Sequence, residues 1–195
     1  MSRVGESRRA TGETDVRARV DLDGSGVAAV GTGVGFFDHM LTLLARHSLI
    51  DIEVDARGDL ETGSHHTVED VGITLGQALD AALGDRSGIE RYGEATVPMD
   101  EVLAQAVIDI SGRPFAAIDL PVPDLVIGGF ETELAGEFFR GLANHAGLTL
   151  HLRLLAPGGT HHVIEGGFKA VARALRVAVA RNPRVTGVPS TKGAL

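Results

Sequence analysis

Cysteine is absent from all 195 residues of the chain. That excludes a disulfide framework and any thiolate metal site, so a bound metal would be held by imidazole and carboxylate. Long apolar runs are missing too. Nothing approaches the run of about 18 apolar residues that a membrane span needs, and the first twenty residues, MSRVGESRRATGETDVRARV, hold no apolar core of the secretory kind. A cytoplasmic protein with no membrane partner is expected. Basic charge is scarce: 18 Lys and Arg against 26 Asp and Glu give a formal net charge of -8. That argues against a nucleic-acid partner and leaves room for a small phosphorylated ligand in a local basic pocket. What remains, 44% hydrophobic and 23% charged, suits a globular chain long enough to bury a core.

Val16, Ala18, Val20 and Leu22 alternate with Asp15, Arg17, Arg19 and Asp21, which predicts a half-buried strand over 14–22. DGSG at 23–26 reads as a hairpin turn into a strand over 27–32. DLDGSG is no calcium loop, because its twelfth position is Thr32 rather than glutamate. GTGVG at 31–35 lacks the third glycine of a dinucleotide loop. A helix over 36–47, a strand over 50–55 and a helix over 66–83 follow, and the order strand, strand, helix, strand, helix returns after Tyr92. The second set lies near 102–110, 114–120, 133–145, 148–155 and 162–180.

The repetition holds residue by residue. A shift of 96 places His65, His66, Glu69, Ala78 and Leu79 on His161, His162, Glu165, Ala174 and Leu175; a shift of 98 places Leu44, Ala45 and His47 on Leu142, Ala143 and His145. The fold class is therefore read as α/β, an α+β two-layer sandwich made by internal duplication, with half-repeats 1–92 and 93–195 packed as one unit.

The doubled motif, SHHTVEDVG at 64–72 and THHVIEGGF at 160–168, holds four of the eight histidines. On a helix, residues three apart share a face and adjacent residues diverge by about 100°. Each motif thus reads as serving two ions, with His66 and Glu69, or His162 and Glu165, on one ion and the first histidine turned to another. The longer repeat adds His39 and its counterpart Glu137. The grouping that follows is His39, His66 and Glu69 with His161, and Glu137, His162 and Glu165 with His65. Nitrogen and oxygen ligands without sulfur suit manganese, iron, cobalt or zinc, and neutral imidazole ligation predicts that the sites empty as pH falls. His47, His145 and His151 read as structural.

With these residues in place the chain resembles the imidazoleglycerol-phosphate dehydratases of histidine biosynthesis. The resemblance runs from TGETDV through GFFDHML, HHTVEDVGITLG, RYGEATVPMDE, DISGRPF and HHVIEGGFKAVARAL to GVPSTKGAL. It implies a duplicated fold of the ribosomal protein S5 domain 2-like class, and a large cubic homo-oligomer, a 24-mer, with active sites between subunits. It also implies two Mn²⁺ per active site on His39, His65, His66, Glu69, Glu137, His161, His162 and Glu165, although the family often has histidine at the position of Glu137. Arg91, Arg113, Lys169, Ser190, Thr191 and Lys192 match positions that bind the phosphorylated imidazole substrate. Glu13 matches a substrate-contacting glutamate and is nominated as the base, with Glu69 and Glu165 as assisting carboxylates. The implied hydro-lyase reaction turns imidazole glycerol phosphate into imidazole acetol phosphate. It would run through a metal-bound imidazolate and a diazafulvene, which explains two metals by the two nitrogens of the ring.

Two other readings of the motif are a non-catalytic metal scaffold, which leaves Arg91, Arg113 and Lys192 without a task, and a dinuclear hydrolase. A ferritin-like bundle also sets His and Glu three apart, but the alternating strands count against it.

Overall fold

A computed structural model describes residues 3–193 and Leu195. The strands are β1 (Val4–Ala10), β2 (Thr14–Asp21), β3 (Ala28–Gly31), β4 (Asp51–Gly58), β5 (Tyr92–Met99), β6 (Val102–Asp109), β7 (Phe115–Asp119), β8 (Val126–Ile127), β9 (Phe130–Glu131) and β10 (Thr149–Ala156). The helices are α1 (Gly35–Ser48), α2 (His65–Leu83), α3 (Leu134–His145) and α4 (Thr160–Ala178). Each half therefore opens with a strand that the alternation did not reveal, β1 and β5. In β1 only Gly5 is fully buried, and β5 contains Pro98; both are edge strands, paired on one side only.

The two four-stranded sheets share one topology, β1-β2-β4-β3 and β5-β6-β10-β7. In each, the third strand in sequence runs parallel to its neighbour, β3 to β4 and β7 to β10, so a helix must cross over between them. The small β8–β9 hairpin is an addition of the second half.

Helices occupy the inner face of each sheet, and the two helical layers meet. The packing across the halves is crossed: α2 lies on α3 and α1 on α4. Glycines permit the first contact, since a Cβ on Gly72 would stand 2.7 Å from the Phe138 carbonyl oxygen and one on Gly76 2.7 Å from that of Leu142. A single buried cluster runs through both halves, centred on Phe37, Phe130, Phe138, Phe139 and Phe168. Stacking of Phe138 on Phe168, with centroids 5.2 Å apart, ties α3 to α4. No described helix is long and apolar enough to cross a membrane.

Candidate active site

The histidine pairs begin α2 and α4, so both present side chains at helix N-termini. The crossed packing brings His39 of α1 to the start of α4. There His39 Nε2, His161 Nε2 and Glu165 Oε2 converge, with ligand atoms all within 4.8 Å of one another. The His161 and His39 nitrogens lie 3.0 and 3.8 Å from the carboxylate oxygen. Phe36 packs edge-on against the His161 ring at 5.0 Å. Glu165 is 9% exposed, and its other oxygen receives Lys169 Nζ at 2.6 Å. Burial works against the charge of Glu165, but the bonds from Lys169 and His161 outweigh it and hold its pKa below the ordinary range.

Of the grouping read from the motif, the structure brings His39 together with His161; within one chain the carboxylate that reaches them is Glu165 rather than Glu69, and in the first motif Glu69 lies 3.9 Å from His65. Two causes act. A helical glutamate leans toward the N-terminus and reaches the residue four before it. Crossed packing, which a single chain of letters does not display, then selects the partner helix. By the repeat relation, Glu137 of α3 is the counterpart of His39 toward α2; in this chain its carboxylate is bonded to Arg140 at 2.7 Å.

The second histidines face elsewhere. His66 Nδ1 lies 3.1 Å from an Asp59 oxygen and 3.8 Å from Glu13. His162 Nδ1 lies 2.9 Å from Glu101, and Asp100, Glu101 and His162 form the other described group able to hold an ion. The Asp59 bond raises the pKa of His66, and the Glu101 bond that of His162. Glu101 is held at about 2 by the Gly159 N–H and by His162. Sequence reading missed Asp59, Asp100 and Glu101. The signal available was the position of Glu101 just before the second strand of its hairpin, where Glu13 stands in the first half.

Arg91, Tyr92, Arg113, Pro189, Ser190, Thr191 and Lys192 line an open cleft of about 660 Å³. Arg91 is anchored, with Nε and Nη2 on the two Asp109 oxygens at 2.7 and 3.1 Å and Nη1 on the Pro189 carbonyl at 2.8 Å. Arg113, with a side chain 68% exposed, offers an open guanidinium. The tail that supplies Ser190 and Lys192 is bonded to the chain itself through Gly88 N–H to the Gly187 carbonyl and Asn182 N–H to the Gly88 carbonyl. Lys169 lies with Glu165 and is not among the cleft residues. Of the histidines read as structural, His145 donates from Nδ1 to the Gly141 carbonyl at 2.9 Å, and His151 packs against Phe115 in a tilted arrangement with centroids 5.7 Å apart.

The cleft and the histidines lie at opposite ends of α4. Arg91 N–H bonds the carbonyl of Ala178, the last residue of that helix, whereas His161 and His162 are in its first turn. At 1.5 Å per residue the separation is about 25 Å.

The sequence model for imidazoleglycerol-phosphate dehydratase matches residues 32–175. Among the similar proteins, the imidazoleglycerol-phosphate dehydratase of Symbiobacterium thermophilum is 61% identical over 99% of this chain and 93% of its own. That of Methylibium petroleiphilum is 57% identical over 100% and 98%. The solved structure of the Staphylococcus aureus dehydratase superposes with a TM-score of 0.83 at 39% identity, covering 92% of this chain and 99% of that one. The IGPD of Pyrococcus furiosus, in complex with (S)-C348, superposes with 0.82 at 37%, covering 96% and 99%. Full-length similarity in both sequence and backbone, on a chain that carries the doubled histidine motif, means that it belongs to the imidazoleglycerol-phosphate dehydratase family of hydro-lyases.

Proposed function

We propose that this chain removes water from imidazole glycerol phosphate to give imidazole acetol phosphate in histidine biosynthesis, as a metal-dependent homo-oligomer. The convergence of His39, His161 and Glu165 at the start of α4 carries the reading. Two imidazole nitrogens and a carboxylate oxygen fit a borderline divalent ion, and no sulfur competes. The repeat supplies Glu137, His65 and Glu69 as the related set, with His66 and His162 each contributing a further nitrogen. Bound Mn²⁺, two ions per active site, would supply Lewis acidity toward the two ring nitrogens of the substrate.

The chain's own residues do the rest. Glu13, on the exposed β1–β2 turn beside His66, takes the carbon proton. Lys169 balances the buried Glu165 and keeps it ionised as a ligand. Arg113, Ser190, Thr191 and Lys192 hold the phosphate, while Arg91 fixes the tail that presents them. A separation of about 25 Å between cleft and histidines exceeds what a ring joined to a phosphate by a short carbon chain can bridge. The substrate is therefore shared between copies of the chain, which supports an assembly such as the cubic 24-mer.

Purified protein stripped of metal and then given Mn²⁺ should release imidazole acetol phosphate only in the second state. Lys192→Ala should raise KM about tenfold or more and leave metal content unchanged. Lost metal with unchanged KM would sink the phosphate assignment, and metal binding without turnover would favour a scaffold.

A further inference from the structure

Each second histidine is met by a carboxylate, but the two carboxylates are not repeat counterparts. The opening hairpins of the halves match with a shift of 88, since Val4 pairs with Asp21 as Tyr92 pairs with Asp109, and Gly5 with Val20 as Gly93 with Ile108. In that register Glu13, just before β2, answers to Glu101, just before β6.

Glu101 performs two tasks. Its Oε1 accepts the N–H of Gly159, the residue before α4, at 2.8 Å, and its Oε2 holds His162 Nδ1 at 2.9 Å. Gly158 provides the room, because a Cβ there would stand 2.3 Å from Glu101 Oε1. In the first half these tasks fall to other residues. Glu131, in the β8–β9 hairpin, accepts the N–H of Ser64, the residue before α2, at 3.2 Å, and Asp59 holds His66 Nδ1. The Glu13 carboxylate is left 3.8 Å from His66 Nδ1 with no hydrogen bond among the described residues.

An ionised carboxylate only accepts, so Nδ1 of both histidines carries the hydrogen and a neutral ring presents its Nε2 lone pair. Carboxylates orient metal-binding imidazoles in this way. We propose that Asp59 and Glu101 are positioning residues that aim His66 and His162 at metal, and that Asp59 thereby releases Glu13, the repeat counterpart of Glu101, to act on substrate. The part concerning Glu13 rests on the dehydratase reading; the aiming of the histidines does not.

Calorimetric titration of the metal-stripped full chain with Mn²⁺ tests this apart from turnover. Glu101→Ala should weaken binding about 10- to 100-fold, and Glu101→Gln, which keeps an accepting oxygen, should recover most of it. Glu13→Ala alone should leave affinity unchanged. Asp59→Ala alone should lower affinity only slightly, because Glu13 moves the short distance to His66, yet its turnover at saturating Mn²⁺ should fall as far as that of Glu13→Ala. The double variant Asp59→Ala with Glu13→Ala should show the full loss of affinity. A double variant that binds like Asp59→Ala, or wild-type affinity in Glu101→Ala, overturns the proposal. Unchanged circular dichroism and the rescue by Glu101→Gln separate a local effect from misfolding. Wild-type protein that binds Mn²⁺ without forming imidazole acetol phosphate overturns the dehydratase reading instead, and the affinity pattern still decides this one.

Discussion

The two halves share a backbone and differ in how they satisfy polar groups. Gly5 and Gly93 occupy the same place on their edge strands: a Cβ on either would stand 2.0 Å from a helix carbonyl oxygen, that of Ala78 or Ala174. Behind them the chemistry diverges. In the first half buried Asp70 takes Arg9 Nε at 2.7 Å and the Thr14 hydroxyl. The counterparts in the second half are Gly166, Val97 and Val102, and a Cβ on Gly166 would touch Val102 at 3.3 Å. The outer sheet faces differ as well. The first carries ion pairs such as Arg8 with Asp15 and Arg19 with Glu53, whereas the second exposes Val107, Phe115 and Leu155. Backbone-to-backbone approach admits one solution, glycine; side-chain partnerships admit many, and the halves use different ones.

The largest expected effect tests the shared part. Gly5→Ala and Gly93→Ala should each destabilise the fold by about 3 kcal/mol, seen as a lowered Tm, because the obstacle is helix backbone that cannot swing aside. A mild effect at one of the two would break the equivalence. Next comes the divergent network. Asp70→Ala should cost about 2 kcal/mol by taking the carboxylate from Arg9 and leaving the buried Thr14 hydroxyl only its 3.3 Å contact with Thr11, and adding Thr14→Val should recover part of it in denaturant unfolding. If the second change deepens the loss, the apolar solution of the other half does not transfer.

The smallest effect concerns pH. Asp51 accepts the N–H groups of Val27 and Ser25, each at 2.8 Å, and these bonds, Val27's foremost, lower its pKa. A depressed carboxylate contributes stability above its unfolded pKa and loses it as pH falls through the folded value. The counterpart, Thr149, is neutral and bonds the Arg113 carbonyl at 3.2 Å. Asp51→Asn should therefore lower Tm slightly at pH 7, and wild type and variant should converge near pH ~3. A constant gap across that range would show that the charge of Asp51 is irrelevant.

Much of this was legible before any coordinates. Burial periodicity located β2, β4, β6, β10 and all four helices, because each sets an apolar face against the core. β1 and β5 escaped, being edge strands with one strand neighbour each: β1 is mostly polar, and β5 is interrupted by Gly93 and Pro98. The tail is held by Arg91 on the Pro189 carbonyl and by Gly88 on the Gly187 carbonyl, contacts distant in sequence that no local pattern displays.

By itself the sequence determined the duplication, the positions of the paired histidines and their carboxylates and the chemistry available to them, since residue type and repeat spacing are properties of the linear chain. The tertiary structure alone decided which of those residues meet. Crossing of α1 onto α4 sends His39 to His161 and Glu165, and the shapes of unequal loops assign Asp59, Glu101 and Glu131 to their partners. Such choices depend on packing between segments far apart in sequence, where glycine permits the approach and a side chain a few ångströms away settles the pairing.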